Sequence, residues 1–215
     1  MRPLLLGHRG ARAIRSIPEN TLGSFEQAML DGCDGFEFDV RLTADKKAII
    51  CHDPDVNGVS IAGARREDLA GLPILQDVLS DFAARAWLDI ELKVEGLEPQ
   101  LSEALGVKKP KRGIVVSSFQ TGILTTLHAE DPSLPLGLIS DRAANLQSWN
   151  QLPVAWVIPH HSLVTKELID DVHKAGKRIM VWTVNDADRM VRYATWGVDG
   201  LIADDTALLV KTLGS

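Results

Sequence analysis

Two short segments of the chain carry acids at a spacing that matters chemically. In Phe36-Glu37-Phe38-Asp39 carboxylates alternate with aromatic residues, and in Leu88-Asp89-Ile90-Glu91-Leu92-Lys93 polar and aliphatic residues alternate. An extended chain sends successive side chains to opposite faces. Glu37 and Asp39 therefore share one face, and Asp89, Glu91 and Lys93 share another. Carboxylates crowded together and removed from water are unfavourable unless they are paired or bound to a cation. A divalent cation relieves their repulsion, and a buried network with Arg or Lys is the alternative reading. All-oxygen ligation suits Mg²⁺, Mn²⁺ or Ca²⁺ rather than zinc.

His8 and His52 are the candidates for proton transfer. Two imidazoles flanking a cation-held phosphate supply a general base and a general acid near neutral pH, although a histidine taken alone is more often structural. His128 and His173 fall in helical stretches and are read as structural. His160 and His161 follow an apolar run and receive the same reading, with substrate contact as the alternative.

These side chains need a frame. Short β-rich apolar runs recur at 3–8, 35–39, 87–92, 114–117, 134–139, 154–158, 179–183 and 200–203. Amphipathic stretches at 21–30, 75–85, 97–105, 121–130, 141–149, 166–175, 187–195 and 206–213 separate them. Asn20, Thr165 and Asp186 are plausible helix N-caps. An additional strand at 47–51 is expected as a hairpin beside the second run. Eight strands alternating with eight helices predict an α/β fold, a single (β/α)8 TIM barrel spanning 1–215, with a doubly wound open sheet as the rival. In a TIM barrel the working residues leave the C-terminal ends of the strands. That rule gathers His8 and Arg9 after the first strand, Glu37 and Asp39 on the second, and Glu91 and Lys93 on the third. Segments 185–196 and 203–208 contain no glycine, so the Gly-rich phosphate grip common after the last two barrel strands is absent. A phosphate is better placed on a cation, Arg9 and Lys93.

Composition narrows the partners. The net charge of −6 leaves no basic footprint for nucleic acid or an anionic membrane surface, so cations for a phosphate must be supplied locally. The start of the chain reaches Gly7 and His8 too soon for a secretory apolar core, and no apolar run approaches the about 18 residues that span a bilayer. Cys33 and Cys51 are too few for a disulfide framework. A cytoplasmic protein with reduced thiols and no stable membrane association is the expectation. No feature of the sequence signals an oligomeric state.

The ordered blocks Gly7-His8-Arg9-Gly10, Pro18-Glu19-Asn20-Thr21, Gly35-Phe36-Glu37-Phe38-Asp39-Val40, Thr43-Ala44-Asp45 and His52-Asp53 resemble the glycerophosphodiester phosphodiesterase family. Asp89-Ile90-Glu91-Leu92-Lys93, Ser117-Ser118-Phe119, Val181-Trp182-Thr183-Val184-Asn185 and the stretch from Gly197 to Asp204 look like its remaining blocks. The resemblance implies a TIM barrel that hydrolyses a small-molecule glycerophosphodiester to glycerol 3-phosphate and an alcohol. It implies Glu37, Asp39 and Glu91 as ligands of a divalent cation, Mg²⁺ or Ca²⁺ with Mn²⁺ also compatible, and His8 and His52 as the acid–base pair. Arg9 and Lys93 carry over as phosphate contacts, Trp182 as an aromatic floor or a capped barrel-core residue, and Glu19 and Asn20 as support. The segment after His52-Asp53 departs from the family in being short and lacking an Arg. Two other readings are a phospholipase D-like lyase that stops at a cyclic phosphate, and a barrel that binds glycerophosphodiesters without turnover.

Overall fold

The computed structural model describes residues 2–214. Strands β1 (Leu4–His8) and β2 (Gly35–Leu42) are followed by the short strands β3 (Ala48–Ile50), β4 (Asp55–Val56) and β5 (Val59–Ser60). Then come β6 (Trp87–Leu92), β7 (Ile114–Ser118), β8 (Leu136–Ser140), β9 (Trp156–Pro159), β10 (Arg178–Val181) and β11 (Gly200–Ala203). The sheet order β1-β11-β10-β9-β8-β7-β6-β2 closes through the β1–β2 pairing, giving eight parallel strands in a barrel. The open doubly wound sheet is thereby excluded. Helices α1 (Leu22–Leu30), α2 (Leu75–Phe82), α3 (Glu98–Val107), α4 (Thr121–Glu130), α5 (Ala143–Leu146), α6 (Lys166–Lys174), α7 (Ala187–Trp196) and α8 (Thr206–Leu213) connect successive barrel strands or follow the last. No described helix is long and apolar enough to cross a membrane.

The second run is longer than its apolar core suggested. It continues through Leu42 because Val40, Arg41 and Leu42 pair antiparallel with Ile50, Ile49 and Ala48 of β3, the expected hairpin. The stretch 141–149 forms only the four-residue α5. Side-chain hydrogen bonds compete with a helix there: Ser140 Oγ donates to the Arg142 carbonyl at 2.8 Å and Ser148 Oγ to the Asn145 carbonyl at 2.9 Å. Thr165 and Asp186 do cap α6 and α7, but α1 is capped by Thr21, whose Oγ1 accepts from Ser24 N at 3.2 Å. Asn20, expected at that cap, turns its side chain elsewhere.

Alternation sorts the strands into an outward and an inward set. Outward, Phe36 and Phe38 pack with Phe25 of α1 and Phe82 of α2, and the Phe25 and Phe36 rings stack at 4.3 Å. Leu88, Ile90 and Leu92 extend that layer, and Leu5, Val157, Ile179 and Leu201 build its counterpart under α6, α7 and α8. Inward, Leu6, Trp87, Val115, Ile139, Trp156, Ile158, Met180 and Ile202 fill the barrel. Gly137 faces inward too, where a Cβ would stand 2.7 Å from Ile158 Cδ1 and 3.0 Å from Val115 Cγ2, so close packing demands glycine. Toward the carboxyl ends of the strands, the inward set turns polar on β1, β2, β6 and β7.

Phe36 is fully buried at the centre of the aromatic layer. Phe36→Ala is expected to destabilise the protein by about 3–5 kcal/mol, read as a lower denaturant midpoint with an unchanged transition slope.

Candidate active site

Parallel pairing of β1, β2 and β6 aligns His8 with Glu37 and Glu37 with Asp89; one inward step further, Asp39 aligns with Glu91. Residues paired in this way point to the same side of the sheet. Four carboxylates are thus forced onto one wall, all of them buried, with Asp39 1% and Asp89 0% exposed. Their ionisation is correspondingly uneven. Burial, reinforced by Asp39, Glu91 and Asp89, raises the Glu37 carboxyl well above its ordinary range. Burial and the Asp39 charge raise Glu91 in the same way, against the pull of Lys93. Burial also pushes Asp89 up to about 8, despite a hydrogen bond from Ser117. Asp39 alone is lowered: burial opposes ionisation, and the charges of Lys93 and Arg9 with a hydrogen bond from Asn20 overcome it.

Two cations serve this wall. Lys93 Nζ lies 2.6 Å from Glu91 Oε1 and 3.2 Å from Asp39 Oδ1, the latter without hydrogen-bond geometry. Arg9 Nε lies 3.2 Å from Asp39 Oδ2, while Arg9 Nη1 donates to Glu19 Oε1 at 2.7 Å. Glu19 also accepts from Arg12 Nε at 2.6 Å. Asn20 Nδ2 donates to Asp39 Oδ2 at 2.8 Å, which is where the side chain missing from the α1 cap has gone. Arg9 and Asn20 both adopt left-handed backbone, with φ of 51° and 57°. For non-glycine residues that conformation needs support from its surroundings. It comes from Arg9 N donating to Glu37 Oε2 at 3.0 Å, and from Asn20 N and Ser24 Oγ donating to the Arg9 carbonyl, each at 3.0 Å. The loop carrying Glu19 and Asn20 is therefore tied to the acids themselves.

Each candidate histidine is backed by a carboxylate. His8 Nδ1 donates to Asp204 Oδ1 at 2.6 Å, and His8 Nε2 lies 3.9 Å from Glu37 Oε2. Burial works against the charge on Asp204, yet hydrogen bonds from His8 and Asn185 and the charges of His8 and Arg12 hold its carboxyl down at about 2. An ionised Asp204 only accepts, so the proton of a neutral His8 sits on Nδ1 and Nε2 keeps its lone pair. His52 Nδ1 donates to Asp53 Oδ1 at 2.7 Å, and Arg41 Nε fixes the His52 carbonyl at 2.8 Å. Burial lowers the His52 pKa in spite of Asp53. His8 and His52 line one cleft with Arg9, Glu37, Glu91 and Lys93.

The opposite wall of that cleft is apolar, made by Phe119, Ile139, Ile158, Trp182 and Ile202. Trp182 lines the cleft and is capped as a barrel residue by donating Nε1–H to the Ile158 carbonyl at 2.9 Å. His160 packs edge-on against Trp182 at 5.3 Å but binds Ser162 through Nδ1, and His161 accepts from Arg189. His128 and His173 lie in α4 and α6, and His173 Nε2 is 2.9 Å from Asp199.

Asp204, Asp53 and Asp89 were not among the expected site residues. Asp204 had a legible signal, since Gly200, Ile202 and Asp204 continue one inward alternation past the last strand. Asp53 was visible only as a neighbour of His52, and Asp89 only as a member of the inward set on its strand.

The donor chemistry fits a hard divalent cation. One ligand oxygen from each of Glu37, Asp39 and Glu91 lies within 4.8 Å of the others, and Glu37 Oε1 is buried without a hydrogen-bond partner.

This is the architecture of (β/α)8 barrels that work on ligands at the carboxyl ends of their strands. Within that class the chain belongs to the glycerophosphoryl diester phosphodiesterase family, whose sequence model matches residues 8–112 and 62–208. The chain is 29% identical over 240 residues to a glycerophosphodiester phosphodiesterase of Caldanaerobacter subterraneus subsp. tengcongensis, covering 98% of each chain. It is also similar to the crystal structure of a glycerophosphodiester phosphodiesterase from Thermotoga maritima, with a TM-score of 0.83, 26% identity and 98% of both chains covered. A glycerophosphodiester phosphodiesterase from Agrobacterium tumefaciens shares the fold with a TM-score of 0.85 at 22% identity, over 98% of this chain and 100% of the other.

Adding Mg²⁺, Mn²⁺ or Ca²⁺ is expected to raise the unfolding temperature, by the equivalent of about 2.7 kcal/mol at a cation concentration 100 times its dissociation constant. Glu37→Gln removes a charge that burial already disfavours. Its cation-free stability is expected to match or exceed that of the parent while the increment on adding cation disappears. An undiminished increment in calorimetry would locate the cation elsewhere.

Proposed function

We propose that this chain hydrolyses glycerophosphodiesters to glycerol 3-phosphate and an alcohol, with one barrel domain carrying the whole reaction. The observation that carries this reading is the convergence, in one cleft, of two carboxylate-backed histidines with clustered acids and two cations. Family membership and the name of the Caldanaerobacter relative support the choice of substrate class.

In this reading Glu37, Asp39 and Glu91 hold a divalent cation, Mg²⁺, Mn²⁺ or Ca²⁺. When bound, it supplies positive charge beside the phosphate and lowers the cost of the charge that develops during phosphorus–oxygen cleavage. Arg9 and Lys93 bind non-bridging phosphate oxygens from the side of the acids. One histidine takes the proton from the attacking oxygen, which belongs to water or to the neighbouring glycerol hydroxyl, and the other gives a proton to the departing alcohol oxygen. Where the hydroxyl attacks, a cyclic phosphate forms, and water then opens it to glycerol 3-phosphate with the histidine roles exchanged. Both imidazoles suit this exchange because each holds its Nδ1 proton against a carboxylate and offers Nε2 for the transfer. Asp204, largely buried, sets the His8 tautomer and steadies the imidazolium when it forms, as a carboxylate does behind a catalytic histidine, while the exposed Asp53 holds the Nδ1 proton of His52. Glu19 and Asn20 hold Arg9 and Asp39 in place, and Trp182 offers an aromatic face to the carbon skeleton.

Release of glycerol 3-phosphate from glycerophosphocholine and glycerophosphoethanolamine tests the reading, with phosphorus NMR to distinguish a ring-opened product from a cyclic phosphate. Turnover is expected only with a divalent cation, and His8→Ala and His52→Ala should each lower kcat by roughly 10²–10⁴-fold. Asp204→Asn should lower kcat with little change in KM. Near-complete turnover in either histidine variant would remove the acid–base pair from the scheme, and a cyclic end product would assign a lyase. Metal-dependent binding without any product would leave a binding protein.

A further inference from the structure

The proposed mechanism leaves one polar residue of the cleft without work. Asp89 is wholly buried and lines the cleft. Its Oδ1 is fixed by Ser117 Oγ at 2.5 Å, while its Oδ2 has no hydrogen-bond partner. An orphaned oxygen at a buried position is unfavourable unless something completes it. Neither nearby cation completes it: Lys93 is engaged by Glu91 and Asp39, and Arg9 by Glu19 and Asp39. Asp89 shares their wall but is not one of the three residues, Glu37, Asp39 and Glu91, whose ligand oxygens lie within 4.8 Å of one another.

Resting on the hydrolase reading above, we propose that Asp89 recognises the terminal hydroxyl of the substrate's glycerol end. Three features of the cleft converge on that group. The partner must be small and able to meet a carboxyl oxygen in either protonation state, and a hydroxyl both donates and accepts. It must also be remote from the phosphate, because phosphate is drawn to Arg9 and Lys93, and the terminal hydroxyl is the one farther from phosphorus in glycerol 3-phosphate. Finally, the facing wall of Ile139, Ile158 and Ile202 is apolar and suits the carbon chain that carries the hydroxyl. Asp89 is therefore a specificity residue: it distinguishes glycerol from a deoxygenated alcohol of the same length, because removing the hydroxyl leaves Oδ2 buried and unpaired again.

Calorimetric binding in Mg²⁺ buffer separates this assignment from the reading beneath it. The probes are sn-glycerol 3-phosphate and propane-1,2-diol 1-phosphate, which lacks only the terminal hydroxyl. The parent protein is expected to prefer glycerol 3-phosphate by about tenfold or more. Asp89→Asn should retain the preference and Asp89→Ala should abolish it by weakening glycerol 3-phosphate alone. Ser117→Ala, which frees Oδ1 without emptying the site, should reduce it. Equal binding of the two ligands by the parent protein overturns the assignment even if Asp89→Ala does not fold. So does a preference that survives in a folded Asp89→Ala. Failure of the parent protein to bind either ligand overturns the hydrolase reading and the assignment together.

Discussion

The parallel register between β2 and β6 is the constraint on which the rest of the site depends. It sets Glu37 beside Asp89 and Asp39 beside Glu91, so four acids occupy a wall from which water is excluded. At an effective dielectric constant of about 20, two like charges about 4 Å apart repel by about 4 kcal/mol. Such a wall persists only with compensation, and its surroundings are organised to provide it. Lys93 leans onto Asp39 and Glu91, Arg9 bends back through a left-handed backbone to reach Asp39, and Asn20 abandons the helix cap for the same carboxylate. Even so, an oxygen of Glu37 remains unpaired. The network with Arg and Lys is present in this wall, and beside it the oxygens of Glu37, Asp39 and Glu91 converge within 4.8 Å of one another, a geometry that fits a divalent cation. The basic residues offset part of the charge, and the convergent oxygens leave room for a divalent ion to offset more.

Much of this was legible in the linear chain because the signal has period two. Alternating acids with aromatic residues in 36–39 and with aliphatic residues in 88–93 fixes which side chains share a face, whatever the partners of the strand. Eight such runs separated by helical stretches leave few ways of closing a sheet, so the barrel and the membership of its polar mouth followed together. Less legible were features set by distance in space. The pairing of His8 with Asp204 joins residues at opposite ends of the chain, and no local pattern encodes it. Asn20 fits the composition of a cap and sits one residue from the true one, but its preference for Asp39 arises only once β2 is in place. The stretch 141–149 illustrates the converse: the side chains of Ser140 and Ser148 bind backbone carbonyls locally, and a helical pattern that reads well over nine residues yields one turn.

The histidines show how the fold transmits order to the mouth. His8 is held by a residue that follows β11, and β11 pairs with β1 to seal the barrel. Asp204 accepts from Asn185, and its own amide donates to Asn185, so the ends of β10 and β11 are laced into the same arrangement. Arg12 bridges Glu19 and Asp204 and thereby links the loop that carries Asn20 to the closing strand. His52 differs in kind. Its carboxylate is the adjacent residue, and its carbonyl is pinned by Arg41 from the strand that bears the acids. One imidazole is thus oriented by closure of the whole barrel and the other by a local hairpin, though both face the same cleft.

The cleft has unequal halves. Every acid and cation on its polar side lies within the first 93 residues, whereas β8 to β11 contribute isoleucines and Trp182. The two halves consequently differ in how freely they can drift over evolutionary time. A change among the early residues disturbs a charge balance in which each group has several partners. A change in the later wall alters only the shape and greasiness of a surface. In this chain the shape of the apolar wall can therefore change without touching the acids, while Asp204, just past β11, is the late residue tied to the early half through His8.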